Sequence, residues 1–213
     1  MLIRHFMSSP VFRVESTETI GRAWSQLEER GLRHVVVVRG NRALGVVTEH
    51  DFVSVLPRSG LIGALEAEAE VTNKPIASLL DGPLVSIGPN DHIDDAAVRM
   101  LEKHVDALPV IENGELVGIL TSSDLFRLFA TSSKREDSRR LSIEWPSNEP
   151  EPDPLRAVFA EGARLYGLVR HSTPGGNEVC VLHLSHGAFS SVQKRLVAMG
   201  YVVLELERAR GTK

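Results

Sequence analysis

The chain has 213 residues, 42% of them hydrophobic and 24% charged, which is ordinary for a globular protein with one large or two modest domains. With 24 basic and 28 acidic residues the formal charge is −4, which leaves no broad basic surface for nucleic acid. Apolar runs are only a few residues long, as at Val35–Val38, so none spans a bilayer, and the single Cys180 excludes an intrachain disulfide and fits a reducing cytoplasm.

At the amino end, Met1–Phe6 lacks the apolar core of a secretion signal. Ser8–Val14 is an extended lead-in containing Pro10. Ser16-Thr17-Glu18 opens a helix whose Ile20, Ala23, Trp24 and Leu27 share one face, and Gly31 ends it. Arg33–Val38 is a β-branched run suited to a strand buried on both faces. Gly40-Asn41 is hairpin chemistry, Ala43–Val47 the return strand, and Thr48 starts a short helix that stops before Pro57.

The same order then recurs. Asn90 is the expected cap of a helix with Ile93, Ala96, Ala97 and Met100 on one face. Leu108–Ile111 is a strand, Asn113-Gly114 a turn, Leu116–Leu120 the return strand and Asp124–Phe129 the closing helix. Gly45 and Gly118, Thr48 and Thr121, and Asp51 and Asp124 are each 73 residues apart; carried back without a gap, the same offset pairs Pro10 with Pro83 and Val37 with Val110. One supersecondary unit is therefore built twice. The expected segments are a first repeat over 1–60, a helical connector over 61–74 (Ala/Glu-rich at Gly63–Val71) and a second repeat over 75–130.

Beyond Phe129 the texture changes. Residues 131–138 read as an exposed linker, Leu141–Trp145 as a strand and Ser147–Pro154 as an acidic, proline-bearing loop. Leu155, Val158, Phe159, Ala163 and Leu165 suggest a helix. Tyr166–His171 and Glu178–Leu184 are strands joined by the turn-rich Thr173–Asn177; Val192–Met199 is a helix closed by Gly200, and Tyr201–Leu206 a last strand. The order β-α-β-β-α-β is the split βαβ, or ferredoxin-like, arrangement over 139–208, followed by a tail at 209–213. The fold class is thus α/β (α+β).

The repeated Gly-apolar-apolar-Thr-x-x-Asp carries the chemistry. Its structural content is a capping box: Thr accepts from a backbone N–H and the carboxylate three residues later reaches back, which is worth about 1 kcal/mol per cap. The same geometry suits a nucleoside phosphate. A helix N-terminus and a hydroxyl favour an anion, a carboxylate accepts from a ribose diol, and apolar strand edges can hold a purine.

These residues resemble a cystathionine-β-synthase (CBS) domain pair, a Bateman module. The resemblance rests on the Pro10 and Pro83 lead-ins, on Val35-Val36-Val37 with Leu108-Pro109-Val110, and on both Gly-apolar-apolar-Thr-x-x-Asp segments. It implies a non-catalytic regulatory protein with no required cofactor and an adenine nucleotide (AMP, ADP or ATP) or another adenosyl compound as regulatory ligand. Carried over, the preferred cleft combines Phe12, Leu32 and Arg33 with Thr121, Ser123 and Asp124. The second combines Val85, Val105 and Asp106 with Thr48, His50 and Asp51. Arg33, Ser122 and Ser123 favour phosphate in the first, whereas Glu49 and Asp106 oppose it in the second. Val36 stands where the family usually has proline, and Arg33 and His34 interrupt the apolar strand start.

Residues 139–208 resemble an ACT domain, best over Ser191–Val203, and the whole order resembles acetoin-utilisation accessory proteins of the AcuB type. The loop Pro152-Asp153-Pro154-Leu155 lacks the glycine with which ACT domains contact a ligand, which favours a dimerising sheet over an amino-acid site. His183 and His186 straddle a strand end with no third ligand nearby in sequence, so no metal site is expected. Nor is a catalytic residue: no nucleophile has an activating neighbour and no Gly-rich Lys loop occurs. The expectation is a cytoplasmic homodimer, joined through the CBS helices (Trp24, Leu27, Met100, Leu101) and the ACT-like sheet, that acts on an unidentified target protein without nucleic-acid or membrane partners. The alternatives are a ligand-independent dimerisation adaptor and an amino-acid sensor working through the ACT-like domain.

Overall fold

The computed structural model describes residues 1–55, 70–133, 137–145, 153–173, 175–176 and 178–206, and the chain divides between Phe126 and Arg127 into two compact units. In the first, repeat one supplies β1 (Arg13–Glu15), α1 (Ile20–Glu29), β2 (His34–Arg39), β3 (Arg42–Thr48) and α2 (Glu49–Val55). Repeat two supplies α3 (Ile93–Lys103), β4 (Ala107–Glu112), β5 (Glu115–Thr121) and α4 (Ser122–Ser133). The register repeats with the sequence. His34 stands opposite Thr48 and Ala107 opposite Thr121, and a bulge follows both Val37 and Val110. Asn113 and Gly114 both have positive φ (53° and 84°), as a two-residue type I′ hairpin requires.

The copies differ in one strand. β1 runs parallel to β2, with Val36 N–H donating to the Phe12 carbonyl. Pro109 occupies the equivalent place in repeat two and has no N–H to give, so the expected strand there shrinks to a single bridge, Ile87 to Val110. The caps also differ from the sequence reading. Thr19, not Ser16–Glu18, caps α1 by accepting from Arg22 N–H, and α3 follows His92, which makes no side-chain cap, while Asn90 accepts from Arg4 instead.

β2 is buried on both faces because each face has its own partner. Val35 and Val37 pack with Ile20, Ala23, Leu27 and Phe52 of their own repeat. Val36 and Val38 pack with Ala43 and, from the second repeat, Leu116, with Ile111 and Ile119 at the margin. This second cluster is the seam between the repeats.

The lead-ins are exchanged. Ile93 N–H at the start of α3 donates to the Met1 carbonyl (2.9 Å), and Ile20 N–H at the start of α1 donates to that of Lys74 (2.9 Å). Ile3 N–H donates to Asp91 and Ile76 N–H to Glu18, and both isoleucine side chains are fully buried. Each repeat therefore holds down the other's long helix. The arrangement also accounts for the two motif glycines: a Cβ on Gly118 would lie 2.4 Å from Met7 Sδ, and one on Gly45 2.6 Å from Leu80 Cδ2. Met7 and Leu80 are themselves repeat equivalents.

The second unit contains β6 (Ser138–Trp145), α5 (Pro154–Ala160), β7 (Leu165–Ser172), β8 (Glu178–Ser185), α6 (Phe189–Ala198) and β9 (Val202–Leu206). The sheet order is β7-β8-β6-β9 and every pairing is antiparallel. Leu141, Ile143, Cys180, Leu182 and Leu184 form its core with Val158, Phe189, Val192 and Leu196 from the two helices. Burial pushes the Cys180 thiol up to about 11 against the pull of Arg170, so it packs as a small hydrophobe.

Three expectations change here. α5 ends at Ala160, so Ala163 reaches the core from a loop and Leu165 opens β7. Residues 131–138 are in part helical, since α4 continues through Ser133 and β6 starts at Ser138. Leu27 and Met100, expected on an outer apolar face, are buried, Trp24 is half-buried against Phe52 at 5.2 Å, and Leu101 is 76% exposed. Residues 70–72 of the expected connector are helical; its residues 61–69 and the tail at 209–213 lie outside the described residues. Among the described residues no helix is long and apolar enough to cross a membrane.

Candidate functional site

Both Thr-x-x-Asp segments sit where a return strand passes into a helix, and in both the carboxylate reaches back. Asp51 Oδ2 accepts from Thr48 N–H (2.7 Å) and from its hydroxyl (2.8 Å). Asp124 Oδ2 accepts from Thr121 N–H (2.9 Å) and from its hydroxyl (2.7 Å). Each is a built capping box. Asp124 is buried and Asp51 half-buried.

The next bonds fix the opposite wall. Glu49 N–H donates to the Arg33 carbonyl and Ser122 N–H to that of Asp106, both at 2.9 Å, so the residue before each buried strand is pinned to the helix start of its own repeat. From that anchor the Arg33 side chain crosses the repeats: its Nη2 donates to Ser123 Oγ at 2.7 Å. Arg33, Ser123, Thr121 and Asp124 are thus brought together, a guanidinium, two hydroxyls and a carboxylate drawn from two repeats. The repeat equivalents do not match it. Asp106 replaces the cation, His50 replaces the serine, both are exposed, and no hydrogen bond joins them.

The apolar members are placed as follows. Phe12 is half-buried at the margin of the repeat-one core, with the Arg30 guanidinium 4.9 Å from its ring centroid. Leu32 is 39% exposed just after α1, its N–H returning to the Leu27 carbonyl. Val105 repeats that bond to Met100, and both Val105 and Val85 are half-buried. One residue of this region, His34, stayed outside the set inferred from sequence, although its repeat partner Ala107 marks the position as asymmetric. Burial and then the adjacent Arg33 push its imidazole below the usual value, while Asp106, Asp124 and Asp51 pull it up.

The CBS domain family matches residues 3–58 and 76–131, more than half of the chain. The chain belongs to the CBS-domain family. The two matches follow the two repeats and keep their 73-residue offset. Among curated relatives, this CBS chain is 25% identical over 123 residues to the CBS domain-containing protein YhcV of Bacillus subtilis, covering 58% of the chain and 81% of the relative. It is 23% identical over 126 residues to the homoserine O-acetyltransferase of Methanococcus vannielii, but spans only 24% of that enzyme. Solved structures share the fold of the pair. AcuB of Vibrio cholerae matches with a TM-score of 0.52 at 23% identity, over 62% of this chain and 91% of that one. The CBS pair of MJ0100, solved with 5′-methylthioadenosine and S-adenosyl-L-methionine, matches with a TM-score of 0.52 at 21% identity (62% and 97% covered). CBSX2, solved with AMP, matches with a TM-score of 0.52 at 20% identity (62% and 98% covered).

Proposed function

We propose that this CBS-domain protein is a non-catalytic, cytoplasmic regulator whose CBS pair binds an adenine nucleotide or a related adenosyl compound and signals through an ACT-like dimerising unit. The observation that carries the reading is the Arg33–Ser123 bond. It sets a cation from one repeat on the first turn of the other repeat's helix, beside Thr121 and Asp124. A phosphate there gains charge-assisted bonds from Arg33 and the N-terminal end of α4, and a ribose diol would donate to the Asp124 carboxylate. The adenosyl complexes of MJ0100 and CBSX2 support the ligand class. With Asp106 and Glu49 where the first cleft has Arg33 and Ser122, the Asp51 cleft suits a less anionic nucleoside.

The β-α-β-β-α-β order and the strand order β7-β8-β6-β9 support a ferredoxin-like, ACT-like reading of 139–208. Val202 and Leu204 on β9 and Val169 on β7 are exposed apolar residues that a dimer through this sheet would cover. On the CBS helices, Val98 and Leu101 of α3 and Phe126 of α4 take over the interface role first given to Leu27 and Met100.

Melting the full chain with AMP, ADP, ATP, S-adenosylmethionine, methylthioadenosine and a set of amino acids tests the proposal. A ligand at 100 times its dissociation constant adds about 2.7 kcal/mol. Stabilisation by one of the adenosyl compounds is expected. No stabilisation by any compound leaves the ligand-independent adaptor; stabilisation by an amino acid alone leaves the amino-acid sensor.

A further inference from the structure

His34 stands on the seam side of β2. Val35 and Val37 turn toward the helices of repeat one and Val36 and Val38 toward repeat two, and strand alternation puts His34 with the latter pair. Its repeat partner Ala107 is buried and presents only a methyl group. The charges that act on the imidazole are those of Arg33 beside it in the chain, Asp106 just before β4, Asp124 in the first turn of α4 and Asp51 in the first turn of α2. Asp51 and Asp124 are the ribose carboxylates proposed for the two clefts. His34 stands opposite Thr48 of one cleft in the strand register and directly follows Arg33, whose side chain reaches Ser123 of the other, so it lies between the clefts and belongs to neither capping box.

We propose that His34 takes up a proton from solvent when an anionic ligand occupies the Asp124 cleft, so that ligand binding is linked to pH through the seam between the repeats. The inference rests on the nucleotide reading of that cleft. In the unliganded chain, burial and the Arg33 guanidinium oppose protonation. A bound phosphate partners that guanidinium and adds negative charge of its own, which removes one of the two opposing effects. The carboxylates of Asp106, Asp124 and Asp51 then favour the imidazolium, with the proton on a ring nitrogen. The sign follows: a group whose pKa rises on binding makes affinity grow as pH falls through the bound-state pKa, until the free-state pKa is passed. Each unit of rise is worth up to about tenfold in affinity.

Histidine-ring NMR titration of the full chain, with and without saturating AMP, tests this. Without ligand the His34 midpoint is expected below 6.5, lower still in Asp124→Asn and Asp51→Asn, and higher in Arg33→Gln. Saturating AMP is expected to move it up. His34→Gln should flatten the rise of AMP affinity between about pH 8 and 5.5, leaving the part due to the phosphate's own ionisation near 6. If AMP binds while the His34 midpoint stays in place, or if neither aspartate variant moves it, the proton linkage is wrong and the nucleotide reading stands. If no adenosyl compound binds at any pH, both are wrong.

Discussion

The two clefts share an aspartate at repeat-equivalent positions, and substitutions there are expected to have unequal weights. Asp124→Ala removes the acceptor proposed for a ribose diol from the cleft where Arg33 meets Ser123. Bonds to a charged group are worth about 1.5–3 kcal/mol, so affinity for AMP should fall by roughly 10- to 150-fold. Asp51→Ala removes the same group beside Glu49 and Asp106, where little phosphate binding is expected to be lost. Both variants delete a capping carboxylate of the same geometry, so they should melt alike without ligand. Calorimetric titration of wild type and both variants separates the effects; equal losses of affinity would remove the asymmetry between clefts. Gly118→Ala probes a different constraint, since its new Cβ would meet Met7 Sδ at 2.4 Å. Overpacking of this kind costs about 1–3 kcal/mol. In a Met7→Ala background the same change should cost much less, and a double-mutant cycle of unfolding free energies measures the difference.

At the scale of elements, the exchange of lead-ins makes each long helix depend on the other repeat. Ile3 and Ile76 are both fully buried, and Ile→Ala at such sites costs about 2–5 kcal/mol. Ile3→Ala should loosen α3 and Ile76→Ala should loosen α1, because the Met1 and Lys74 carbonyls accept from the first N–H of those helices. Amide hydrogen exchange resolved by helix is the measurement, and equal loosening of α1 and α3 in both variants would contradict the exchange. None of this was legible in sequence. Periodicity and turn chemistry located the strands, hairpins and helices, because those signals are local: Asn113-Gly114 between two apolar runs needs no tertiary knowledge. The partner of Met7 is 111 residues away, and only the spacing of two apolar residues opposite two glycines hinted at it. Pro109 was read as a family mark, yet its missing N–H is what cuts a strand down to one bridge. The Thr-Asp pairs were visible as motifs; the Arg33–Ser123 bond joining the repeats was visible only as two residues on a shared list, and His34 was read only as a break in the apolar strand start, because a lone histidine carries no further pattern.

For the molecule as a whole, the decisive element is α4. Its first turn holds Ser122, Ser123 and Asp124, and it runs unbroken through Ser133, about 18 Å, past the division between the two units at Phe126/Arg127. A helix transmits a tilt or shift of its first turn to its last. A ligand held as proposed by Arg33 and Asp124 would act on the helix whose later residues belong to the second unit. Such a coupling is typically worth 1–3 kcal/mol, or 5- to 150-fold in affinity, and it is reciprocal. Two consequences are expected. AMP bound to the full chain should alter hydrogen exchange in β6 through β9, although none of those strands supplies a cleft residue. A fragment of residues 1–133, checked for folding by its own melting transition, should bind AMP with an affinity that differs from that of the full chain by a factor in that range. Identical affinities together with unchanged exchange in the second unit would mean that α4 joins the two units without coupling them, and the output role proposed for the ACT-like unit would fall while the nucleotide site remained.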